Sequence, residues 1–280
     1  SSYAMGINES GQATGYSYNM SYQMRAFSWD GGVMTEVPTL GGYSGYGYGI
    51  NDNGDVVGVS YLSSGYTHGF LWADGAITDL GALGGAYSEA WGANSLRQVV
   101  GTAMTAAGAY QAFLWENGSM QGLPGLGGTY SVAYDINELG VVAGFSYDAV
   151  GYGHACLWEN GVATDMGVLP TGNTSIGWAL NDAGWMVGYG DDMGYSHAML
   201  WADGGTYDLN DLIPSGSGWQ LTEARGISYR GHIAGYGYLN GEVRGFVLTP
   251  NAVVPSPGAI ILGIAGVGLV AAGRGRKGGK

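Results

Sequence analysis

Apolar residues come in short bursts along this chain, among them VVGVSYL, GFLW, VVGTAM and AFLW, separated by polar steps built on Asn, Asp and Gly. Within a burst, large and small or polar residues alternate with a period of two, the period of a strand that buries one face. The bursts are too short to form an amphipathic helix, and Gly interrupts nearly all of them. Four bursts end in a Trp that is followed by Asp74-Gly75, Asn117-Gly118, Asn160-Gly161 or Asp203-Gly204. Each of these steps predicts a two-residue hairpin turn, because both of its residues tolerate positive φ.

The bursts repeat. Trp29, Trp72, Trp115, Trp158 and Trp201 stand 43 residues apart, and Asn8, Asn51, Asn94, Asn137 and Asn181 keep spacings of 43, 43, 43 and 44. A sixth, degenerate copy has Ser228 in place of the Asn and Leu248 in place of the Trp. In the third unit, strands are expected at residues 89–94, 98–103, 110–115 and 119–126. Four antiparallel strands in about 43 residues, six times over, is the size of a propeller blade. The expected fold is therefore all-β, a six-bladed β-propeller over residues 1–250, with an open β-solenoid of stacked units as the alternative. The chain begins with the first strand of a unit and its last unit stops after the third strand, at GFVLTP. The seam is thus short of a strand and predicts an edge able to accept one from another molecule. The alternatives are an upstream strand in a longer precursor, or substitution by residues 251–254.

Residues 251–257 form a linker, and 258–280 a short apolar helix with a basic tail. Sixteen uncharged residues, Gly258 to Gly273, precede Arg274, Arg276, Lys277 and Lys280. As a helix they would span roughly 24 Å at 1.5 Å per residue, short of a ~30 Å hydrocarbon layer. The chain opens with SSYAMGINES, which is no signal peptide, so either one has been removed or this is a fragment of a longer chain.

The elements HGFLW, QAFLW and HACLW, together with TDLGALGG and GINDNGDVVG, resemble the HAF repeat of bacterial extracellular proteins. That resemblance covers residues 1 to 250 and implies a secreted or surface protein, without implying an activity. The end of the chain resembles a PEP-CTERM sorting signal, carried by Pro255, Pro257 and Gly258 of VPSPGA, the apolar stretch, and Arg274, Arg276 and Lys277. It implies export and recognition by an exosortase; an ordinary C-terminal membrane anchor is the plainer reading. Both place the body outside the cytoplasmic membrane, with membrane contact only through the C-terminal helix.

Composition narrows the partners. Gly fills 56 of 280 positions, and 21 Tyr and 9 Trp provide bulk for packing. Before residue 274, five Arg and no Lys face all 22 acidic residues, which excludes nucleic acid because its phosphates would be repelled. Cys156 is the single cysteine and replaces the Phe of other units, so it reads as core.

INDNGDVVG, residues 50–58, looks like a calcium loop, but Gly falls at its fourth position and Leu62 at its twelfth, where an EF-hand needs a Gly at six and an acid at twelve. Across its siblings, such as INESGQATG, ANSLRQVVG and LNDAGWMVG, the oxygens are mostly lost, whereas the first Gly persists in five copies and the last in all six. The stretch therefore reads as turn chemistry, with Arg97 in the left-handed position of the third copy. His68, His154 and His197 share one position in three units, too far apart on separate blades to share a metal ion. Asp191-Asp192 could serve a carbohydrate-active enzyme, but reads first as a solvated loop. No catalytic residue, metal or cofactor is expected. Met5, Tyr48, Trp91, Tyr134, Trp178 and Arg225, each three before the Asn position, are expected in the core between blades.

Where the units differ is between strands two and three, a stretch rich in Tyr, Ser, Gly and Asn, the residues of adaptable binding loops. Tyr22, Tyr66, Tyr110, Tyr152 and Tyr195 recur there and would emerge on one rim. The expected function is a non-enzymatic surface module that binds a polysaccharide or a protein through this rim. Self-assembly through the seam into a fibre or surface layer is the second reading, and a carbohydrate-active enzyme the third.

Overall fold

The computed structural model describes residues 1–250 together with Leu262 and Gly263. Six four-stranded antiparallel meanders follow one another along the chain, each with its strands in sequence order. The third is made of Gly84–Ala93, Val99–Thr105, Tyr110–Glu116 and Ser119–Gly122. Its first strand starts earlier than the pattern predicts and its last ends sooner. Gly84, at φ +92, turns the incoming chain onto the sheet edge, and a Cβ on Gly85 would stand 2.6 Å from Met104, so the strand extends through a position that takes no side chain. At the other end, Leu123 is followed by Pro124, which has no amide for a ladder.

The turns are those the sequence predicts. Asp74, Asn117, Asn160 and Asp203 all lie at φ near +50, each followed by a Gly at positive φ. The last Gly of VVG serves a different need. A Cβ on Gly58 would fall 1.9 Å from the Tyr46 carbonyl oxygen, and one on Gly101 equally close to that of Glu89, so the first two strands of each unit approach at a distance that only Gly permits.

Consecutive sheets pack face on face. One sheet offers apolar side chains from its second and third strands; the next answers with the Phe-type and Trp positions of its own. Val57 and Leu71 of the second sheet meet Ala90, Val99 and Phe113 of the third. Val100 and Ala112 of the third meet Ile136, Val142, Cys156 and Trp158 of the fourth. A polar tie runs through every joint, and a second joins it in three of them. The side-chain amide of each Asn donates to the backbone carbonyl of its counterpart one unit on, from Asn8 to Asn51 at 2.9 Å, Asn51 to Asn94 at 2.9 Å, Asn94 to Asn137 and Asn137 to Asn181 at 3.1 Å, and Asn181 to Ser228 at 3.3 Å. A serine hydroxyl in the first strand accepts the backbone N–H of the preceding sheet's third strand, as Ser131 does from Ala112 at 2.9 Å.

Among the described residues the series is uncovered at both ends. Ile7 of the first sheet is 72% exposed, whereas Leu180, its counterpart in the fifth, is 6% exposed. Among the described residues no extensive contact joins the first sheet to the sixth.

The sixth sheet has Trp219–Ile227, Ile233–Leu239 and Glu242–Pro250. Its fourth place is taken by Leu262–Gly263, a two-residue strand paired with Pro250 and Thr249. This corrects the expected apolar helix at these two residues: the free edge of the third strand offers backbone partners, and the chain takes them in extended form. Among the described residues no helix is long and apolar enough to cross a membrane. The sorting-signal residues Pro255, Pro257, Gly258, Arg274, Arg276 and Lys277 lie outside the described residues.

Candidate functional site

The INDNGDVVG turn has no free oxygen cluster. Asn51 is buried; its Oδ1 accepts the N–H groups of Asn53 and Asp55 at 3.1 and 2.9 Å, and its amide also donates to Asp55 at 3.0 Å. The Asp55 carboxylate takes the Arg97 guanidinium from the next unit, at 3.0 and 3.3 Å, and Arg97 reaches on to Asp74 at 2.8 Å. Arg97 stands at φ +60, the left-handed position predicted for it, and these ion pairs offset that backbone strain.

The three histidines are likewise engaged, each with an Asp eleven residues on. His68 lies 2.8 Å from Asp79, His154 2.8 Å from Asp165, and His197 2.5 Å from Asp208. Arg25 and Glu36 make the same link at 3.1 Å in the first unit. Each pair ties a third strand to its fourth. The co-occurrence of His or Arg with an acid at this spacing was a legible signal that the repeat pattern left unused. Cys156 is buried, and burial pushes its thiol up to about 12, which makes it a poor nucleophile. Asp191 caps backbone, accepting from the N–H groups of Asn173 and Thr174 at 3.0 and 2.6 Å.

Of the residues three before each Asn position, Tyr48, Trp91, Tyr134 and Trp178 form a row of half-buried rings, whereas Met5, expected in the core, is 49% exposed because no described sheet packs over it. Tyr48 stacks on Trp91 at 4.4 Å, Trp91 meets Tyr134 edge-on at 5.6 Å, and Tyr134 packs on Trp178 at 4.4 Å. Arg225 closes the row, its guanidinium 4.2 Å from the Trp178 ring. The rings pack on one another, apart from the apolar clusters that join the sheets. Burial raises the Tyr48 and Tyr134 hydroxyls above the usual tyrosine range.

The five rim tyrosines lie at the hairpins joining strands two and three, but they are not alike. Tyr22, Tyr66, Tyr152 and Tyr195 are exposed. Tyr110 is half-buried between Tyr87 and Tyr130, at ring distances of 5.4 and 6.0 Å. Tyr195 borders a cavity of about 590 Å³ where the fifth and sixth sheets meet.

The other walls of that cavity come from the sixth unit: Trp219, Gln220, Glu223, Tyr236 and Tyr238. The unit is irregular where the cavity forms. The link into it carries a short 3-10 turn, Leu209–Leu212, held by the buried Leu209, and Asn210 locks the turn to Leu221 through bonds of 2.7 and 2.9 Å. Glu223 is held from both sides: it accepts the Tyr236 hydroxyl at 2.6 Å and forms an ion pair with the Arg225 guanidinium at 2.5 Å. The bond to Glu223, and then burial, raise the Tyr236 hydroxyl. Arg225 therefore connects the cavity to the row of rings. No sequence pattern pointed here, because Trp219, Tyr236 and Tyr238 belong to the least regular copy.

Among the described residues no cluster of His, Cys, Asp or Glu is arranged to hold a metal ion. No protein-family model matches the chain, and no curated protein sequence matches it either. Solved structures do resemble it. The β-propeller domain of the trilobed protease from Pyrococcus furiosus, described as having an open velcro topology, superposes with a TM-score of 0.59 at 9% identity, over 86% of this chain and 79% of that one. The acylaminoacyl peptidase from Pyrococcus horikoshii gives 0.53 at 12% identity, over 88% of this chain and 44% of that one. TolB from Acinetobacter baumannii gives 0.51 at 11%, over 72% and 52%. The chain thus spans about half the length of the latter two. At such identities the likeness shows the fold, all-β and of β-propeller type, and nothing of activity.

Proposed function

We propose that this protein is a surface-exposed bacterial binding module, a propeller of six blades left open at its seam, which takes an oligosaccharide into the cavity between its fifth and sixth sheets. The cavity itself carries this reading. Four aromatic rings, Tyr195, Trp219, Tyr236 and Tyr238, supply flat apolar faces of the kind that pack on sugar rings, while Gln220 and Glu223 supply hydrogen-bonding groups beside them. Glu223 is already neutralised by Arg225, which favours an uncharged polar ligand over a cationic one. The volume suits a ligand of a few rings.

Binding without catalysis is supported by the state of the reactive side chains: the Cys156 thiol is buried, and Asp191 is committed to backbone donors. Export and handling by a sorting machinery rest on the composition of residues 255–280 and on the acidic, lysine-free body. The rim tyrosines other than Tyr195 would extend contact with a longer polymer without forming the primary site.

Glycan-array screening followed by calorimetry tests the assignment. Trp219→Ala and Tyr238→Ala should each weaken a detected glycan at least tenfold while Tyr22→Ala changes little. A glycan bound equally well by both cavity variants would sink the reading. Turnover abolished by loss of Asp191 and Asp192 would replace it with the enzymatic one.

A further inference from the structure

The five joints between sheets share one construction, and the described residues carry both halves of a sixth joint that they do not make. In the joint between the fifth and sixth sheets, Val187, Ala198 and Leu200 pack against Ile233, Phe246 and Leu248. The register that places Val187 and Leu200 on the forward face of the fifth sheet places Ala234 and Val247 on that of the sixth. Leu200 is fully buried, whereas Val247 is 47% exposed. On the rear face of the first sheet, Ile7 and Trp29 hold positions filled in the fifth by Leu180 and Trp201, which are buried; Ile7 and Trp29 are exposed.

A polar tie is split in the same way. In three joints the residue after the Asn donates its backbone N–H to an acid at the same position one unit on, Glu9 to Asp52, Ser95 to Glu138 and Glu138 to Asp182, all at 3.0 Å. In the sixth unit that donor position is Tyr229, whose N–H has no such acceptor among the described residues. In the first unit the acid is Glu9, whose carboxylate receives no such donor among the described residues. Arg230, over the Tyr229 ring, puts a positive charge where Glu9 would arrive.

We propose that the forward face of the sixth sheet docks on the rear face of the first sheet of a second copy of this chain, with Glu9 of the incoming copy seated at Tyr229 and Arg230. The two faces differ, so the contact is head-to-tail and propagates into a filament. Ser228 has no amide to continue the Asn ladder, so side-chain packing and the Glu9 contact hold the joint, and assembly is reversible and salt-sensitive.

The test uses the full chain in multi-angle light scattering and sedimentation velocity over a wide concentration range. Wild type should grow in mass with concentration. Ile7→Glu and Val247→Glu should each be monomeric, with circular dichroism and melting unchanged because both positions are already exposed. Mixed, the two variants still share one intact joint, Ile7→Glu giving its sixth sheet and Val247→Glu its first, and should form a one-to-one dimer that grows no further. Glu9→Arg should weaken assembly at least tenfold at low salt. Wild type that stays monomeric throughout, whether its own ends or its tail cover the faces, overturns the proposal. So does assembly that either single variant leaves intact, or a mixture of variants that stays monomeric.

Discussion

Replacing Asn51 with Ala probes the ladder that runs through the units. The side chain is buried and makes four hydrogen bonds: it donates to the Asn94 carbonyl and to Asp55, and accepts from the N–H groups of Asn53 and Asp55. At about 1 kcal/mol net for each bond, with no room for water to replace them, the loss should be about 3–4 kcal/mol. Asn8→Ala is the internal control. It removes comparable bonds, to Gln12 and to the Asn51 carbonyl, but from a half-exposed site at the open end where water substitutes, so about 1 kcal/mol is expected. Urea denaturation followed by tryptophan fluorescence measures both through the shift in midpoint at constant slope. A cost for Asn51→Ala below about 1 kcal/mol, or one no larger than that of Asn8→Ala, would refute the claim that the ladder ties the sheets together. Calcium or EDTA should move neither midpoint, because the oxygens of Asn51 and Asp55 are already committed.

Gly58→Ala should cost about 3 kcal/mol or more, since the added methyl would lie 1.9 Å from the Tyr46 carbonyl oxygen and force two strands apart. Gly226→Ala, with no atom within 4 Å of the added carbon, should stay within about 1 kcal/mol of wild type in the same melt. The Asp135 carboxyl accepts the N–H groups of Ile136 and Leu180, yet burial raises it from 3.8 to about 6. The folded form thus holds a proton that the unfolded chain releases between about pH 4 and 6, so stability falls as pH rises through that window and stays lower above it. After allowance for partial exposure, the change is on the order of 2 kcal/mol. In Asp135→Ala, which restores the small residue found at Ala179, the stability-against-pH curve should lose this decline; a persisting decline would place its origin elsewhere.

The sequence by itself determined the unit. Trp and Asn at 43-residue spacing, the Asp-Gly and Asn-Gly steps and the VVG glycine are each dictated by local backbone geometry, and local geometry is written in the residue that must adopt it. That is why the hairpin turns fell at their predicted positions and why Arg97 could be recognised as strained. Strand ends were less legible, because whether Gly84 joins a strand depends on what its neighbour offers as an edge. The role of the Asn was legible only in part: its side-chain oxygen holds the local turn, as expected, but its inter-unit partner is a backbone carbonyl one unit away, and a carbonyl leaves no mark in the sequence. The rim tyrosines were found by their recurrence, yet recurrence did not make them one site. Tertiary structure turned Tyr110 inward among other rings and brought Tyr195 to a cavity, most of whose walls come from the copy that had drifted furthest from the repeat. Which faces remain uncovered was also decided in three dimensions. Ile7 and Leu180 hold the same position in their units, and only the presence of a sheet in front of one and not the other separates a core residue from an exposed one.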